Sequence, residues 1–227
     1  MQKPTLQVER ISAADPRFHL AKRWEYEIFG LENGYTHSTD DAVREMCQYR
    51  RWEASSEFFV GFTDAARAHP VAVLRALRFD PALGIDSFST VCDARAYTDQ
   101  YGVKENMLFR EWQEFFATTS PNTIAELATQ AVRRAHRTSG VIEQVWTQLF
   151  STLAADDVRY VTVALVVPLF SWYQALIGDA ISQIGLILPN YVGADSVPAI
   201  VDLHRLNPVL AAAQPRSEVD TKQKETE

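Results

Sequence analysis

Between Thr123 and Leu165 the spacing of apolar positions changes from a two-residue period to a helical one and back again. From Thr123 to Val132 alternation puts Ile124, Glu126, Ala128, Gln130 and Val132 on one face of an extended chain, and Ala125, Leu127, Thr129 and Ala131 on the other. Both faces are largely apolar, as in a strand covered above and below. Val141 to Ala155 carries Val141, Ile142, Val145, Trp146, Leu149, Phe150 and Leu153 at helical spacing, a stripe broad enough to pack on a sheet. Val158 to Val167 then reads as a buried strand. The pattern predicts a strand, turn, helix, strand unit with its turn at Arg133 to Gly140.

The flanking chain is less sharply patterned. Residues 1–10 are polar and fit a frayed end or a short edge strand. Asp15-Pro16 opens a helix predicted over Phe18 to Leu31, which Gly30 and Asn33-Gly34 end. A second helix is predicted from Thr39 or Asp40 through Tyr49. Glu57 to Asp64 and Val71 to Asp80 read as a β-hairpin. Arg75, inside its second strand, is read first as a solvent-facing arginine, and otherwise as one lining a cleft or paired with a buried acid. Pro81 to Asp86 is a turn, Ser87 to Cys92 a strand or ordered loop, and Met107 to Ala117 a helix. Pro168 suits the first turn of a helix carrying Leu169, Phe170, Tyr173 and Leu176 that stops at Gly178. Ile184 to Leu188 and Ala199 to Leu203 are short strand candidates.

Composition narrows the function classes. The chain has 227 residues, 47% of them hydrophobic and 22% charged, which fits one domain over residues 1–213. Residues 214–227 are predicted to be a disordered tail, with Val219 as their only aliphatic residue. A net charge of −7 argues against a general nucleic-acid binder. Two distant cysteines make neither a disulfide framework nor a zinc site, and no His, Cys, Asp and Glu cluster has metal-ligand spacing. With no leader-like opening and no apolar run long enough to span a bilayer, the expected setting is cytoplasmic, as a monomer or homodimer.

Candidate chemistry concentrates around the central unit. Thr138, Ser139 and Gly140 lie where strand hands over to helix, so free backbone N–H groups and the positive end of a helix dipole gather beside Arg133, Arg134 and Arg137. Such a turn suits an anion, a pyrophosphate among them; the alternative is a solvated basic loop. Glu126 is disfavoured in a strand interior without compensation, and burial would raise its pKa toward that of a useful base. Its alternative is a structural acid paired with Arg75. Trp24, Phe29, Trp52, Phe88 and Arg75 are candidates for a substrate pocket, although most aromatics at such spacings belong to the core.

The order of these elements, and Arg137-Thr138-Ser139-Gly140 at the turn, resemble the GNAT acyltransferase superfamily. The front half is closest to acyl-homoserine lactone synthases and long-chain N-acyl amino acid synthases. That likeness is carried by a first helix ending Glu-Ile-Phe29, by the stretch from Tyr49 to Phe58, by Val73-Leu-Arg75 and by Glu126-Leu-Ala-Thr129. The resemblance implies an α/β (α+β) fold with a central mixed, mostly antiparallel sheet flanked by helices. It further implies an N-acyltransferase taking an acyl group from acyl-CoA, or from the phosphopantetheine of an acyl carrier protein, to a small-molecule amine. By the same likeness Glu126 is the base and Tyr173 the acid for the leaving thiolate. Ala128, Val132, Arg133, Arg134, Arg137, Thr138, Ser139, Gly140 and Val141 would bind the donor. The chain departs from the pattern at Ile142, where the family has a small residue, and at Glu25 and Thr129, where the synthases often have arginine; Glu53 alone remains of an acidic pair. Lactone synthesis is therefore disfavoured. The rival is a non-catalytic protein of the same fold that senses an acyl thioester or a protein partner.

Overall fold

The computed structural model describes residues 6–206 except 36–38, 65, 99–100 and 192; the predicted tail lies outside the described residues. In chain order the strands are β1 (Gln7–Ser12), β2 (Thr39–Asp40), β3 (Glu45–Met46), β4 (Ser56–Phe62), β5 (Pro70–Leu77), β6 (Tyr97–Thr98), β7 (Lys104–Glu105), β8 (Ile124–Val132), β9 (Tyr160–Val166), β10 (Ile181–Gln183), β11 (Leu188–Tyr191) and β12 (Ala194–Asp202). The α-helices are α1 (Phe18–Glu25), α2 (Ser89–Arg95), α3 (Arg110–Thr118), α4 (Val141–Ala155) and α5 (Val167–Ile177). One sheet runs β1-β4-β5-β8-β9-β12-β10, with β11 also paired to β12. Its pairs are antiparallel except β8 with β9, which are parallel. That is the expected mixed, mostly antiparallel sheet. Among the described residues no helix is long and apolar enough to cross a membrane.

Helices cover both faces. On one, α4 lays Val145, Leu149 and Leu153 against Phe59, Leu74 and Leu127, and α5 adds Phe170 and Tyr173. On the other, α1 and the segment after it pack Ala21, Ile28 and Phe29 against Phe58, Val73 and Leu77. Beside them α2 and α3 close the same face over β8 and β12 through Val91, Phe116, Ile124 and Ile200.

A β-bulge in β8 changes which residues share a face. Arg75 pairs with Thr129 and Ala76 with Leu127, so Ala128 has no partner on β5. One unpaired residue shifts the two-residue alternation by one place. Glu126 therefore shares its face with Thr129 and Ala131. Gln130 and Val132 turn to the α4 side with Ala125 and Leu127, where Gln130 meets Trp146 and Tyr173. Simple alternation had put Glu126, Ala128 and Gln130 together.

Arg75 does not face solvent. It is 1% exposed and Glu25 is fully buried. Nε and Nη2 of Arg75 donate to the two oxygens of Glu25 at 3.0 and 2.5 Å, and Nη1 donates to Ser56 at 3.2 Å. Thr129 Oγ1 donates to the same carboxylate at 2.6 Å. The guanidinium lies between the rings of Tyr49 and Phe58, 4.7 and 4.6 Å from their centres. Removing two charges from water is costly, and this bidentate geometry, with a partner for each guanidinium nitrogen, offsets that cost.

Other elements also differ from the sequence pattern. The first helix is α-helical only to Glu25 and continues as a π-helix over Tyr26–Glu32. Thr39 to Tyr49 is not one helix: Asp40 accepts the N–H of Val43, Arg44 takes a left-handed φ of 56°, and the β2–β3 pair leads into a 3₁₀ segment, Cys47–Ser55. Ser89 to Cys92, within a stretch read as a strand or ordered loop, belongs to α2, where a carboxylate from β8 accepts the Thr90 N–H and the Ser89 hydroxyl. α3 starts at Arg110 because Leu108 bridges to Gly185. A Cβ at Gly185 would stand 2.5 Å from the Met107 carbonyl oxygen, and the chain there leaves the sheet between β10 and β11. β12 begins at Ala194, earlier than its apolar run suggests.

Glu25→Ala would leave the Arg75 charge buried without its carboxylate and should cost about 3–5 kcal/mol in urea unfolding. The double variant Glu25→Leu/Arg75→Met, which buries no charge, should lose much less. An equal loss in both would show that packing rather than the ion pair holds this region.

Candidate active site

β8 and β9 run side by side only from Ile124–Tyr160 to Leu127–Val163. Beyond that β8 follows β5 and β9 follows β12, so the two strands part and leave a cleft between their edges. With its open mouth the cleft encloses about 620 Å³. Leu127, Ala128 and Gln130 form one wall, and Val163 to Val166 with Leu169 and Ser196 the other. Phe29, Tyr35, Tyr49, Thr90 and Tyr191 close it from the α1–α2 side. Ala128 is unpaired to both β5 and β9, and its carbonyl accepts the Tyr49 hydroxyl at 3.1 Å.

Glu126 sits just behind this lining. It is 1% exposed, and its carboxylate receives the Ser89 hydroxyl, the Thr90 N–H at 3.0 and 3.1 Å, and the Thr90 hydroxyl at 3.2 Å. These bonds favour the ionised form, but burial opposes it more strongly and pushes the pKa up to about 7. Asp93, one turn further along α2, is also raised by burial and accepts the Tyr191 hydroxyl at 2.7 Å. Burial raises Tyr49 and Tyr191 as well, so both phenols keep their protons. Thr90 thus stands between the cleft and a carboxyl that exchanges its proton near neutrality.

Tyr173 is 3% exposed and lies outside the cleft lining. Its hydroxyl donates to Gln130 Oε1 at 2.8 Å, and the Trp146 indole donates to the same oxygen at 2.9 Å. Held from behind by two donors, Gln130 presents its amide on the cleft wall.

The arginine-rich turn leaves the end of β8 and leads into α4. Gly140, immediately before the helix, has φ of 72°, a conformation glycine adopts without steric cost and which explains the glycine of the motif. No side chain caps the first turn of α4. Arg133 is drawn to Glu27 and Glu32 of the π-helix, at 3.5 and 3.6 Å. Arg134 donates to the Glu32 carbonyl at 2.7 Å, and Arg137 donates to the Asn33 side-chain oxygen. The last two guanidinium groups therefore meet neutral oxygens. Ile142, the departure from the motif, packs against the main core.

Of the expected pocket residues, Phe29 lines the cleft. Trp24 packs edge-on against Phe62, Trp52 donates its indole N–H to the Asp86 carbonyl at 2.8 Å, and Phe88 is buried in the cluster under α2 and α3. Arg75 is closed off by Glu25. The turn residues from Val132 to Val141 stand at the end of β8, outside the lining. Tyr49, Thr90, Gln130, Tyr191 and Asp93 were not candidate site residues in the sequence; Tyr49 belonged to the stretch that carried the family resemblance, Thr90 lay in a stretch read as a strand or ordered loop, and Gln130, Tyr191 and Asp93 carry no local signal. Among the described residues no group of His, Cys, Asp or Glu is placed to hold a metal ion.

No family model matches the chain, and no curated protein matches it in sequence. Solved structures do resemble it. The CoA-dependent acyl-homoserine lactone synthase BjaI, solved with SAM and isopentyl-CoA, superposes with a TM-score of 0.61 at 17% identity, covering 92% of this chain and 89% of that one. The acyl-homoserine lactone synthase LasI gives 0.55 at 14% identity over 92% and 94% of the two chains. FeeM, an N-acyl amino acid synthase from uncultured soil microbes, gives 0.56 at 13% identity over 88% and 92%. The chain has the GNAT-like fold of these synthases.

The raised pKa of Glu126 has a consequence for stability. An unfolded glutamate titrates near 4.5, so the folded protein binds a proton more tightly at this site. Its contribution is complete at acid pH and is lost as pH rises toward about 7, amounting to about 3 kcal/mol. In urea titrations, the stability of wild type relative to Glu126→Gln should fall by that amount between about pH 4.5 and pH 8. A pH-independent difference would mean that Glu126 titrates as an ordinary carboxyl.

Proposed function

We propose that the protein is an N-acyltransferase that moves an acyl group from a coenzyme A thioester directly to a small amine. The observation that carries this reading is the parting of β8 and β9 at the unpaired Ala128, with Glu126 behind one wall and the arginine turn beyond the end of β8. An extended phosphopantetheine arm fits between the separated strand edges, where each edge has backbone groups without a strand partner. Arg134 and Arg137, with the uncapped start of α4, are the groups to hold the phosphates.

The amine nitrogen attacks the thioester carbonyl carbon, forming the C–N bond as the C–S bond breaks. Its proton passes through Thr90 Oγ1 to Glu126, and the sulfur departs as a thiolate that is protonated on release. Charge developing on the carbonyl oxygen is met by the Ala128 N–H and the Gln130 amide. Tyr173 acts through Gln130 as a positioning residue. The family likeness had made it the acid for the thiolate; with its proton committed to Gln130 and its ring outside the cleft, the positioning role fits better. Coenzyme A is preferred over a carrier protein as donor because Arg133 is neutralised by Glu27 and Glu32 and adds little to a basic docking surface.

A saturating acyl-CoA, at about 100 times its Kd, should raise the melting midpoint by roughly 5–10 °C. Arg137→Ala should reduce that shift. Glu126→Gln should keep the shift and lose about 10²-fold or more in kcat. Failure of every acyl-CoA to shift the midpoint would remove coenzyme A as donor. Binding without turnover of any amine would leave an acyl-thioester binding protein.

A further inference from the structure

Four hydroxyl groups of the cleft lining commit their protons to the protein. Each hydroxyl has a single hydrogen to give. Tyr49 gives its hydrogen to the Ala128 carbonyl at 3.1 Å, Thr90 to Glu126 at 3.2 Å, Tyr191 to Asp93 at 2.7 Å, and Ser196 to the Ala194 carbonyl at 3.1 Å. Of these acceptors, the Glu126 and Asp93 carboxyls lie behind the lining, and the Ala128 carbonyl belongs to the wall itself. What these side chains turn toward a ligand is oxygen lone pairs.

Charge follows the same pattern. The carboxyl groups of Glu126 and Asp93 stand directly behind Thr90 and Tyr191. Among the described residues the cleft lining includes no lysine or arginine. The arginine stacked on the Tyr49 ring is Arg75, and its guanidinium nitrogens are taken by Glu25 and Ser56. Phe29 and Tyr35, with ring centres 5.5 Å apart, add aromatic faces that attract cations.

We infer that the acceptor is a primary amine without a carboxylate, an arylalkylamine rather than an amino acid, held through its N–H groups by the oxygens of Tyr49, Thr90 and Tyr191; this rests on the acyl-transfer reading above. An ammonium or amine supplies donors to these hydroxyl oxygens, and its aryl group packs among the aromatic rings. A carboxylate on the same molecule brings only acceptors, against lone pairs and carboxyl groups. The wall's amide donors, on Ala128 and Gln130, are then left to the acyl carbonyl.

Tyramine and tyrosine differ only by the carboxylate and are the matched probes. Isothermal titration of the full chain should show tyramine binding at least about 100-fold more tightly than tyrosine, since the carboxylate would be desolvated without a partner. Tyr191→Phe, which removes one accepting oxygen and keeps the ring, should weaken tyramine by about tenfold. Asp93→Asn should weaken it similarly; if that variant fails to fold, the wild-type comparison of the two ligands still decides. Tyrosine binding as tightly as tyramine, or no binding of tyramine at millimolar concentration, overturns the inference. Acylation of tyrosine in preference to tyramine overturns it while supporting acyl transfer. Tyramine binding without acylation by any acyl-CoA supports the inferred ligand class and removes the acyl-transfer reading.

Discussion

The Arg75–Glu25 pair is the constraint on which the site's arrangement depends. Through it α1 is bound to β5, β4 joins by Ser56, and β8 joins by Thr129 at the bulge. Tyr49 stacks on the guanidinium and reaches on to the Ala128 carbonyl. A buried charge tolerates little displacement, because any lost partner leaves an uncompensated group in a low-dielectric interior. The pair therefore fixes the position of the unpaired Ala128 relative to α1. It also gives a physical account of two departures from the synthase pattern. Glu25 and Thr129, which stand where those synthases often have arginine, hydrogen-bond to each other beside Arg75 and work as one altered unit.

The bulge beside this pair sorts the chemistry. By advancing the alternation one place, it keeps Glu126 and Thr129 on one face and sends Gln130 to the other, where Trp146 and Tyr173 hold it. Regular pleating would have put Glu126 and Gln130 on the same face of β8. The carboxyl side of the cleft and the amide side are separated by one unpaired residue. Under the acyl-transfer proposal, the proton-accepting and carbonyl-polarising groups would thus approach a thioester from different directions.

Much of this was readable from sequence where the signal was long and periodic. β8, the turn, α4 and β9 follow from apolar spacing over some forty residues. Shorter segments failed because their conformation is set by partners distant in the chain. α2 is nucleated by Glu126, which lies far along the sequence from Ser89 and Thr90. Arg75 reads as a surface arginine until Glu25 is placed beside it. A bulge leaves no mark on the alternation of Ala, Thr and Gln, and the direction in which Tyr49 or Tyr191 gives its proton depends wholly on tertiary neighbours.

The π-helix from Tyr26 to Glu32 raises a different matter, the kind of change by which such a site diversifies. A π segment is commonly an α-helix that has accommodated an extra residue. Loss of a single residue there would leave Glu25 on Arg75 but rotate everything after it by about 100°. Glu32 and Asn33 would swing away from the arginine turn, releasing Arg134 and Arg137, while Arg133 keeps its bond to the Pro70 carbonyl. In this fold, insertion and deletion within the first helix therefore act on the arginine turn independently of the buried pair.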